Sequence, residues 1–310
     1  MTEEFDTHVP VMLREVIAAL RVDGGKRFVD ATFGRGGHTR AILDRLPSDG
    51  ILIALDRDLE AIEYGLAAIS DARCRLCHAK FSDVAKVVAD CGVTGEVDGI
   101  LFDLGVSSPQ LDNGYRGFSF QRSGPLDMRM DRTQRLTAAD WLATIPEREL
   151  ARVLAAYGGE RYCRRIARAI VEARGKHPIV GTEQLAEIVK SAHPCWELGK
   201  HPATRTFQAI RIAVNGELEE LEAGLEAAWP ILKVGGRLVV VSFHSLEEGV
   251  VKRVLRRYSG GELPAKVPVR SADLGVRLRC VGKAMRATEH EVAANVRARS
   301  AVMRVIERVG

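Results

Sequence analysis

The chain has 310 residues, of which 46% are hydrophobic and 28% are charged. This composition is typical of a globular protein and excludes a disordered or fibrous chain, and the length suits a core domain with an insertion. Residues 1–10 lack the basic and apolar regions of a secretory signal, and no run of about 18 apolar residues occurs. We therefore expect a cytoplasmic protein without a membrane span.

The formal net charge of +4 is unevenly distributed along the chain. Residues 113–213 contain 17 Lys and Arg against 10 Asp and Glu, and residues 250–310 contain 14 against 5. Two basic segments, of +7 and +9, thus flank a body with a net charge of −12. The asymmetry favours a polyanionic partner such as nucleic acid, although a solvated arginine-rich surface would give the same count.

Over the first 112 residues, short apolar runs alternate with helical patterns, which is typical of βαβ units and a parallel sheet. The predicted strands are residues 27–30, 51–55, 76–81 and 97–102. The predicted helices are residues 11–20, 38–46, 59–69 and 84–90. The alternation predicts an α/β fold.

The alternation stops in the middle of the chain and then returns. Residues 113–213 show helical patterns at 138–145, 147–157, 161–174 and 182–191, and no convincing strand. A long helix (210–228), a strand (237–242), a helix (246–258) and an edge strand (301–307) are predicted next. We therefore predict a core split into residues 1–112 and 214–310, with residues 113–213 as an inserted all-α domain whose positive charge suits recognition of nucleic acid.

The first chemical motif is the glycine loop that follows the first strand, Asp30-Ala-Thr-Phe-Gly34-Arg-Gly36-Gly37-His38. A strand that ends in an acid and leads into a glycine loop is typical of nucleotide-cofactor sites. Thr39 stands where a dinucleotide-binding loop prefers glycine or alanine. The carboxylate of Asp30 suits a cofactor with a positive amino group. Alone, the loop is weak evidence, because many loops contain glycines merely to turn.

The second motif is Asp56, at the end of the second strand and twenty residues beyond Gly36. At that spacing a carboxylate can accept hydrogen bonds from both ribose hydroxyls of a nucleotide cofactor. The alternative is a helix-capping role for this aspartate. Loop and acid together favour an adenosine cofactor, bound where Asp56, Asp30, Phe81 and Asp103 share the carboxyl edge of the sheet.

Two further loops follow strands at the same edge. Asp103-Leu-Gly-Val-Ser-Ser-Pro109-Gln110 could supply acceptors that orient an exocyclic amine towards a methyl donor, or it could be only a turn. In Ser242-Phe243-His244-Ser245, the histidine could orient a base or relay a proton, or it could cap a helix. Both loops are compatible with methylation of an amine.

The cysteines do not indicate a metal or haem site. Cys74-Arg-Leu-Cys77-His78 matches the pattern of covalent haem attachment. That chemistry belongs to exported proteins, and the segment lies on a predicted core strand. No second ligand pair has zinc spacing. We expect a chance match and no metal.

Longer motifs resemble a known family, the bacterial small-subunit ribosomal RNA cytosine N4-methyltransferases of the MraW/RsmH type. The matching stretches cover nearly the whole chain, and they are 8–16, 30–38, 103–112, 116–120, 124–131, 157–160, 201–217 and 241–247. Two stretches near the C-terminus depart from the family pattern, at Glu248-Gly249 and at Val296. The departures concern RNA-facing or structural positions more than the chemistry.

The resemblance implies a class I (Rossmann-like) S-adenosylmethionine methyltransferase core with an inserted all-α domain. The implied reaction is methyl transfer to N4 of a decoding-centre cytidine in 16S ribosomal RNA, with no membrane and no obligatory protein partner. The family pattern assigns cofactor contacts to Gly36, Gly37, His38, Asp56, Phe81, Asp103 and Gln110. Asp103 and His244 are the candidate catalytic residues.

Three other functions compete with this interpretation. A non-catalytic RNA-binding scaffold with the same fold would show a damaged cofactor edge, yet each residue there is chemically apt. An oxidoreductase that uses NAD is disfavoured by Thr39 and by the loop after Asp103. An amine methyltransferase that acts on DNA is not excluded by charge.

Overall fold

The computed structural model describes residues 10–195, 199, 201–259 and 276–310. The chain divides into two compact units. The first comprises Met1–Gly105 and Leu218–Gly310, and the second comprises Val106–Glu217. The second unit therefore begins before residue 113 and ends after residue 213, the bounds predicted for the insertion.

The first unit is built on a mixed sheet, whose described strands are β1 (Arg27–Asp30), β2 (Ile51–Asp56), β3 (Cys74–His78), β4 (Val97–Asp103), β5 (Leu232–Ser242), β6 (Leu278–Cys280), β7 (Met285–Arg286) and β8 (Val302–Arg308). Their order is β3-β2-β1-β4-β5-β8-β6, with β7 also paired to β8. β1 to β5 run parallel, and β8 is antiparallel to β5. The strand order reverses between β1 and β4, which is where open α/β sheets bind ligands.

Helices cover both faces of this sheet. They are α1 (Leu13–Leu20), α2 (Gly37–Leu43), α3 (Leu59–Ala68), α4 (Val84–Asp90), α11 (Glu217–Ala228), α12 (Ser245–Tyr258) and α13 (Glu289–Ala294). Strand β4 shows why two layers are needed, since both of its faces are apolar. Ile100 and Phe102 pack with residues of α4, α11 and α12, whereas Leu101 packs with α1 and α2. Burial on both faces explains the continuous apolar runs of the central strands.

The second unit is helical. Its helices are α5 (Ser108–Asp112), α6 (Ala138–Thr144), α7 (Glu147–Gly158), α8 (Cys163–Arg174), α9 (Thr182–Ala192) and α10 (Ala203–Asn215). Its described residues contain no strand and only one isolated bridge, between Pro125 and Gly181. Each longer helix contributes an apolar stripe to a shared core, such as Leu150, Ile166 and Leu185.

Three predicted elements are wrong in detail. The long helix at 210–228 is two helices, α10 and α11, separated by Gly216 in a left-handed conformation with φ of 58°. The predicted edge strand at 301–307 is β8, which lies between β5 and the short strands β6 and β7. The third strand ends at His78 rather than near Phe81, which begins a short 3-10 helix instead.

Two stretches from the sequence analysis lie partly outside the described residues. They are residues 8 and 9 of the motif at 8–16, and residues 260–275 of the basic segment 250–310. None of the helices in the described residues is both long enough and apolar enough to cross a membrane.

Candidate cofactor site

Three aspartates stand at the carboxyl edge of the central strands. β1 ends at Asp30, β2 at Asp56 and β4 at Asp103, and these strands are parallel neighbours. Hydrogen bonds from the loop after β1 join the three ends. The backbone N–H of Asp103 donates to Thr32 Oγ1 at 2.7 Å, and the N–H of Gly34 donates to Asp56 Oδ2 at 2.7 Å. The predicted shared edge is thus one connected polar surface.

The glycine loop between β1 and α2 is shaped by the protein's own packing. Gly36 has φ of 71°, a left-handed conformation that disfavours other residues, and a Cβ there would lie 2.7 Å from the Phe33 ring. A Cβ at Gly37 would lie 2.2 Å from Pro10. The two glycines therefore let α2 begin tightly against neighbouring side chains, in addition to the expected approach of a ligand.

The carboxylate of Asp56 is held by two backbone N–H groups. Oδ2 accepts from Gly34, and Oδ1 accepts from Asp58 at 2.8 Å. The cap of α3 is Asp58, whose side chain accepts from the N–H of Glu60, so capping does not account for Asp56. Burial raises the pKa of Asp56 to about 6, although both backbone hydrogen bonds oppose the rise. Each oxygen retains a lone pair that can accept a hydrogen bond from a hydroxyl group.

Asp30 is more deeply placed than the sequence analysis expected. Its side chain is 0% exposed. Oδ2 accepts from Thr39 Oγ1 at 2.7 Å, and Oδ1 accepts from the N–H of Thr32 at 3.1 Å. Burial raises the pKa of Asp30, whereas His38 and the hydrogen bonds lower it. This geometry fits a residue that fixes the start of α2 from below better than one that contacts a ligand.

His38 connects the glycine loop to Asp103. The imidazole is 5% exposed, and its Nε2 lies 3.4 Å from Asp103 Oδ2. Burial alone would lower the pKa of His38, but the carboxylates of Asp103 and Asp30 outweigh it and the net effect is a raised pKa. The structure therefore favours an ion pair between a cationic His38 and Asp103.

Phe81 lies one short turn beyond β3. The N–H of Ala79 donates to the backbone oxygen of Asp56 at 3.0 Å, which ties this turn to the end of β2. The Phe81 ring packs edge-on against Phe102, with ring centroids 5.7 Å apart, and a Cβ at Gly224 would lie 2.8 Å from it. Phe81 is thus half-buried against Phe102, in a segment that is tied through Ala79 to the end of β2.

His244 caps helix α12. Its Nδ1 accepts from the N–H of Glu247 at 3.3 Å, and its Nε2 lies 3.3 Å from Glu247 Oε1. The Glu247 carboxylate in turn accepts from the N–H groups of Phe243 and His244. This reciprocal arrangement is a capping box. Of the two roles considered for His244, the geometry matches capping.

Gln110 belongs to the second unit. It is buried in the first turn of α5, where its Oε1 accepts from the N–H of Ser107 at 3.0 Å as part of a second capping box. This placement explains a glutamine in a Ser-Ser-Pro-Gln turn. Its contact with a cofactor remains a prediction.

Several residues of the site were not identified from the sequence. Thr32 and Thr39 hold Asp30, and the signal for them was only that both flank a glycine loop beside a buried acid. For Glu247 the signal was its position three residues after His244, the spacing of a capping box. The guanidinium of Arg35 lies 4.4 Å from the ring centre of Tyr64, a pair for which the sequence carried no signal.

The site fits S-adenosylmethionine and shows no place for a metal. Oδ1 of Asp103 is buried and has no hydrogen-bond partner among the described residues, while the side chain as a whole is 23% exposed, so the carboxylate has unused acceptor capacity at this edge. Asp56, at the same edge of the sheet, offers acceptors for ribose hydroxyls. In the part of the chain that the structure describes, no group of three His, Cys, Asp or Glu could hold a metal ion. Cys74 and Cys77 are free thiols on β3.

Comparisons with known proteins identify the family of this chain. The MraW methylase family matches residues 6–309. Two relatives are called ribosomal RNA small subunit methyltransferase H. The one from Chromohalobacter salexigens is 54% identical over 98% of this chain and 92% of its own. The one from Methylococcus capsulatus is 55% identical over 96% and 99%.

Among solved structures, an rRNA methylase from Streptococcus thermophilus is similar over 99% of this chain and 100% of its own, with a TM-score of 0.43 and 12% identity. The match to the family extends from the N-terminal segment through both units to β8. The chain belongs to the MraW methylase family.

Proposed function

We propose that the protein transfers a methyl group from S-adenosylmethionine to N4 of a decoding-centre cytidine in 16S ribosomal RNA. The observation that carries the chemistry is Asp103, whose Oδ2 faces His38 while its buried Oδ1 has no partner among the described residues. The names of relatives above 50% identity support the ribosomal target.

The residues of the edge divide the work of binding and orientation. S-adenosylmethionine supplies an electrophilic methyl group on a sulfonium. Asp56 accepts hydrogen bonds from the ribose hydroxyls, and the loop at Gly36 and Gly37 lies against the cofactor at the start of α2. Asp103 accepts an N–H of the cytosine amine, which directs the nitrogen lone pair out of the ring plane. When the methyl group passes from sulfur to this nitrogen and S-adenosylhomocysteine is left, the Asp103 carboxylate takes up the proton that the amine loses. His38 holds the Asp103 carboxylate in place through the ion pair.

The proposal extends to how the cytidine reaches the site and to the role of the second unit. A cytidine within structured RNA must leave its stack to reach such an edge. We propose that the second unit, which contains the predicted insertion 113–213, recognises the RNA. The partner is then 16S ribosomal RNA, within the small subunit, in the cytoplasm.

The test is methyl transfer from labelled cofactor to three substrates: intact small subunits, naked small-subunit RNA and DNA. Nucleoside analysis of the product then identifies the atom that is methylated. We expect label on N4 of cytidine in RNA and none in DNA. Label on DNA, or on a ring carbon, would refute the assignment.

Calorimetry with S-adenosylmethionine separates the enzyme from a scaffold that retained the fold. A scaffold would bind RNA but release no heat with the cofactor. Binding of NAD instead would indicate an oxidoreductase. We expect saturable binding of S-adenosylmethionine and no binding of NAD.

A further inference from the structure

Four exposed arginines lie at the start of helix α8 of the second unit, one of them just before the helix and three within it. The opposite side of the helix is apolar and places Ile166 and Ile170 in the core of the unit. Within the helix, Arg164 and Arg165 lie four and three residues before Arg168, which makes each of them a neighbour of Arg168 on the helix surface. We call these four residues the arginine stripe: Arg161, Arg164, Arg165 and Arg168.

The charge of the arginine stripe is barely compensated. No ion pair or hydrogen bond joins the side chains of Arg161, Arg164 or Arg165 to any described residue. Arg168 has one ion pair, with Glu147 at 3.8 Å, and both side chains are largely exposed, at 71% and 45%. A pair of that kind contributes little.

The fold gives no reason for arginines in these positions. The first turn of α8 contains no acidic residue and no side-chain cap. The N-terminus of a helix carries a partial positive charge and favours acids, and like charges three or four residues apart repel each other. The arginine stripe therefore disfavours the start of its own helix in the free protein.

Helix α12 shows the opposite arrangement. Its Lys252 pairs with Glu248 at 2.9 Å, and Arg253 pairs with Glu222 at 2.7 Å. Arg257 pairs with Glu222 at 3.2 Å, and also with Glu226. The second basic segment, 250–310, is thus compensated at α12 by acids of the first unit. The arginine stripe is not.

We propose that the arginine stripe binds the phosphates of the RNA substrate, an inference that rests on the proposed function. A guanidinium group presents a planar fork of donors that matches two phosphate oxygens. Contacts with phosphates supply affinity and orientation without reading the bases. The arginine stripe anchors the RNA, and the choice of cytidine belongs to other residues.

The test compares full-length wild type with two variants that each lose three positive charges. R161Q/R164Q/R165Q removes most of the arginine stripe, and K252Q/R253Q/R257Q removes the paired cations of α12. The dissociation constant for small-subunit RNA is measured between about 50 and about 300 mM KCl, a range over which phosphate contacts dominate the salt dependence.

We expect the stripe variant to bind RNA at least about tenfold more weakly, with a salt slope shallower by about 2, as the loss of three phosphate contacts requires. The α12 variant should stay within about threefold of wild type, since its cations are already paired. R161K/R164K/R165K should keep most of the salt slope, because charge is retained. This last variant also distinguishes lost contacts from a misfolded helix.

Three outcomes would overturn the inference. In the first, the stripe variant binds RNA as tightly as wild type. In the second, both glutamine variants lose the same affinity for RNA. In the third, the stripe variant keeps its affinity for RNA but loses binding to poly-glutamate. The last would indicate an acidic protein partner. If wild type methylates RNA in these cases, only the inference fails. If wild type methylates no RNA at all, the proposed function fails.

Discussion

The carboxyl edge of the first unit and the arginine stripe of the second hold charged groups in opposite ways. At the edge, Asp30 is fully buried and bonded to two threonines, and His38 is fixed beside Asp103. In the arginine stripe, the charges are exposed, and Glu147 is their one acidic partner among the residues that the structure describes. Buried charges are costly and need fixed partners, whereas exposed cations act on a polyanion through their charge. The edge suits chemistry and the stripe suits attachment.

The largest effect is expected from D103N, which keeps the shape of the side chain and removes its charge. The rate of methyl transfer at saturating RNA should fall by at least about 100-fold, as for the loss of a positioned acid or base. The RNA dissociation constant should not change, because the arginine stripe is intact. Single-turnover transfer and RNA titration measure the two quantities. A rate close to wild type would remove Asp103 from the reaction.

D56N should weaken the binding of S-adenosylmethionine by about 10- to 100-fold, the usual worth of hydrogen bonds to a charged group. The pKa of Asp56 is about 6, so wild-type affinity should fall as the pH drops below that value. The affinity of D56N should be flat over the same range. Calorimetry between about pH 5 and pH 8 checks both.

The raised pKa of Asp56 also predicts how the free energy of unfolding changes with pH, and this serves as a control for D56N. A folded-state pKa above the ordinary 3.8 means that the folded chain binds the proton more tightly, so ionised Asp56 destabilises it as the pH rises from about 4 to about 6. D56N without cofactor should therefore be no less stable than wild type at pH 8. Marked destabilisation would show that the variant lost affinity by unfolding.

T39V tests whether buried groups at the edge depend on fixed partners. The substitution removes the hydroxyl that donates to Asp30 Oδ2 and should cost about 1–3 kcal/mol of unfolding free energy. T39S keeps the hydroxyl and should recover most of the loss. Urea unfolding of the full chain measures both variants. Equal stability of T39V and wild type would mean that Asp30 needs no partner there.

The smallest effect is expected from H244N. Asparagine is a good N-cap residue, so stability should stay within about 1 kcal/mol of wild type, while H244A should lose about that amount or more. Methyl transfer by H244N should remain close to that of wild type. A folded H244N with a rate reduced by about 100-fold would restore the proton-relay role.

The strand ends were predictable, because apolar runs that finish in an acid fix both a parallel strand and the edge at which it ends. Asp56 and Asp103 were placed on that basis, and the structure puts them on one connected surface. The depth of Asp30 was not predictable. The buried carboxylate accepts from the hydroxyl of Thr39, and the path of the glycine loop that brings Thr39 back to the end of β1 cannot be read from the order of residues.

Helix ends and strand partners were harder to predict. One apolar periodicity runs across Gly216, so the break between α10 and α11 depends on a single left-handed residue. β8 alternates like an edge strand, but two short strands pair along its far side. The compensation of α12, and its absence in the arginine stripe, depends on which helices meet, and charge counts along the chain cannot show that.

The most direct test of this division is to measure kcat and KM for RNA in D103N and in R161Q/R164Q/R165Q, with cofactor saturating. The account predicts that D103N lowers kcat with little change in KM, and that the stripe variant raises KM for RNA while kcat is restored at saturation. The opposite pattern, or a loss of kcat in both variants, would contradict the assignment of chemistry to the edge and attachment to the arginine stripe.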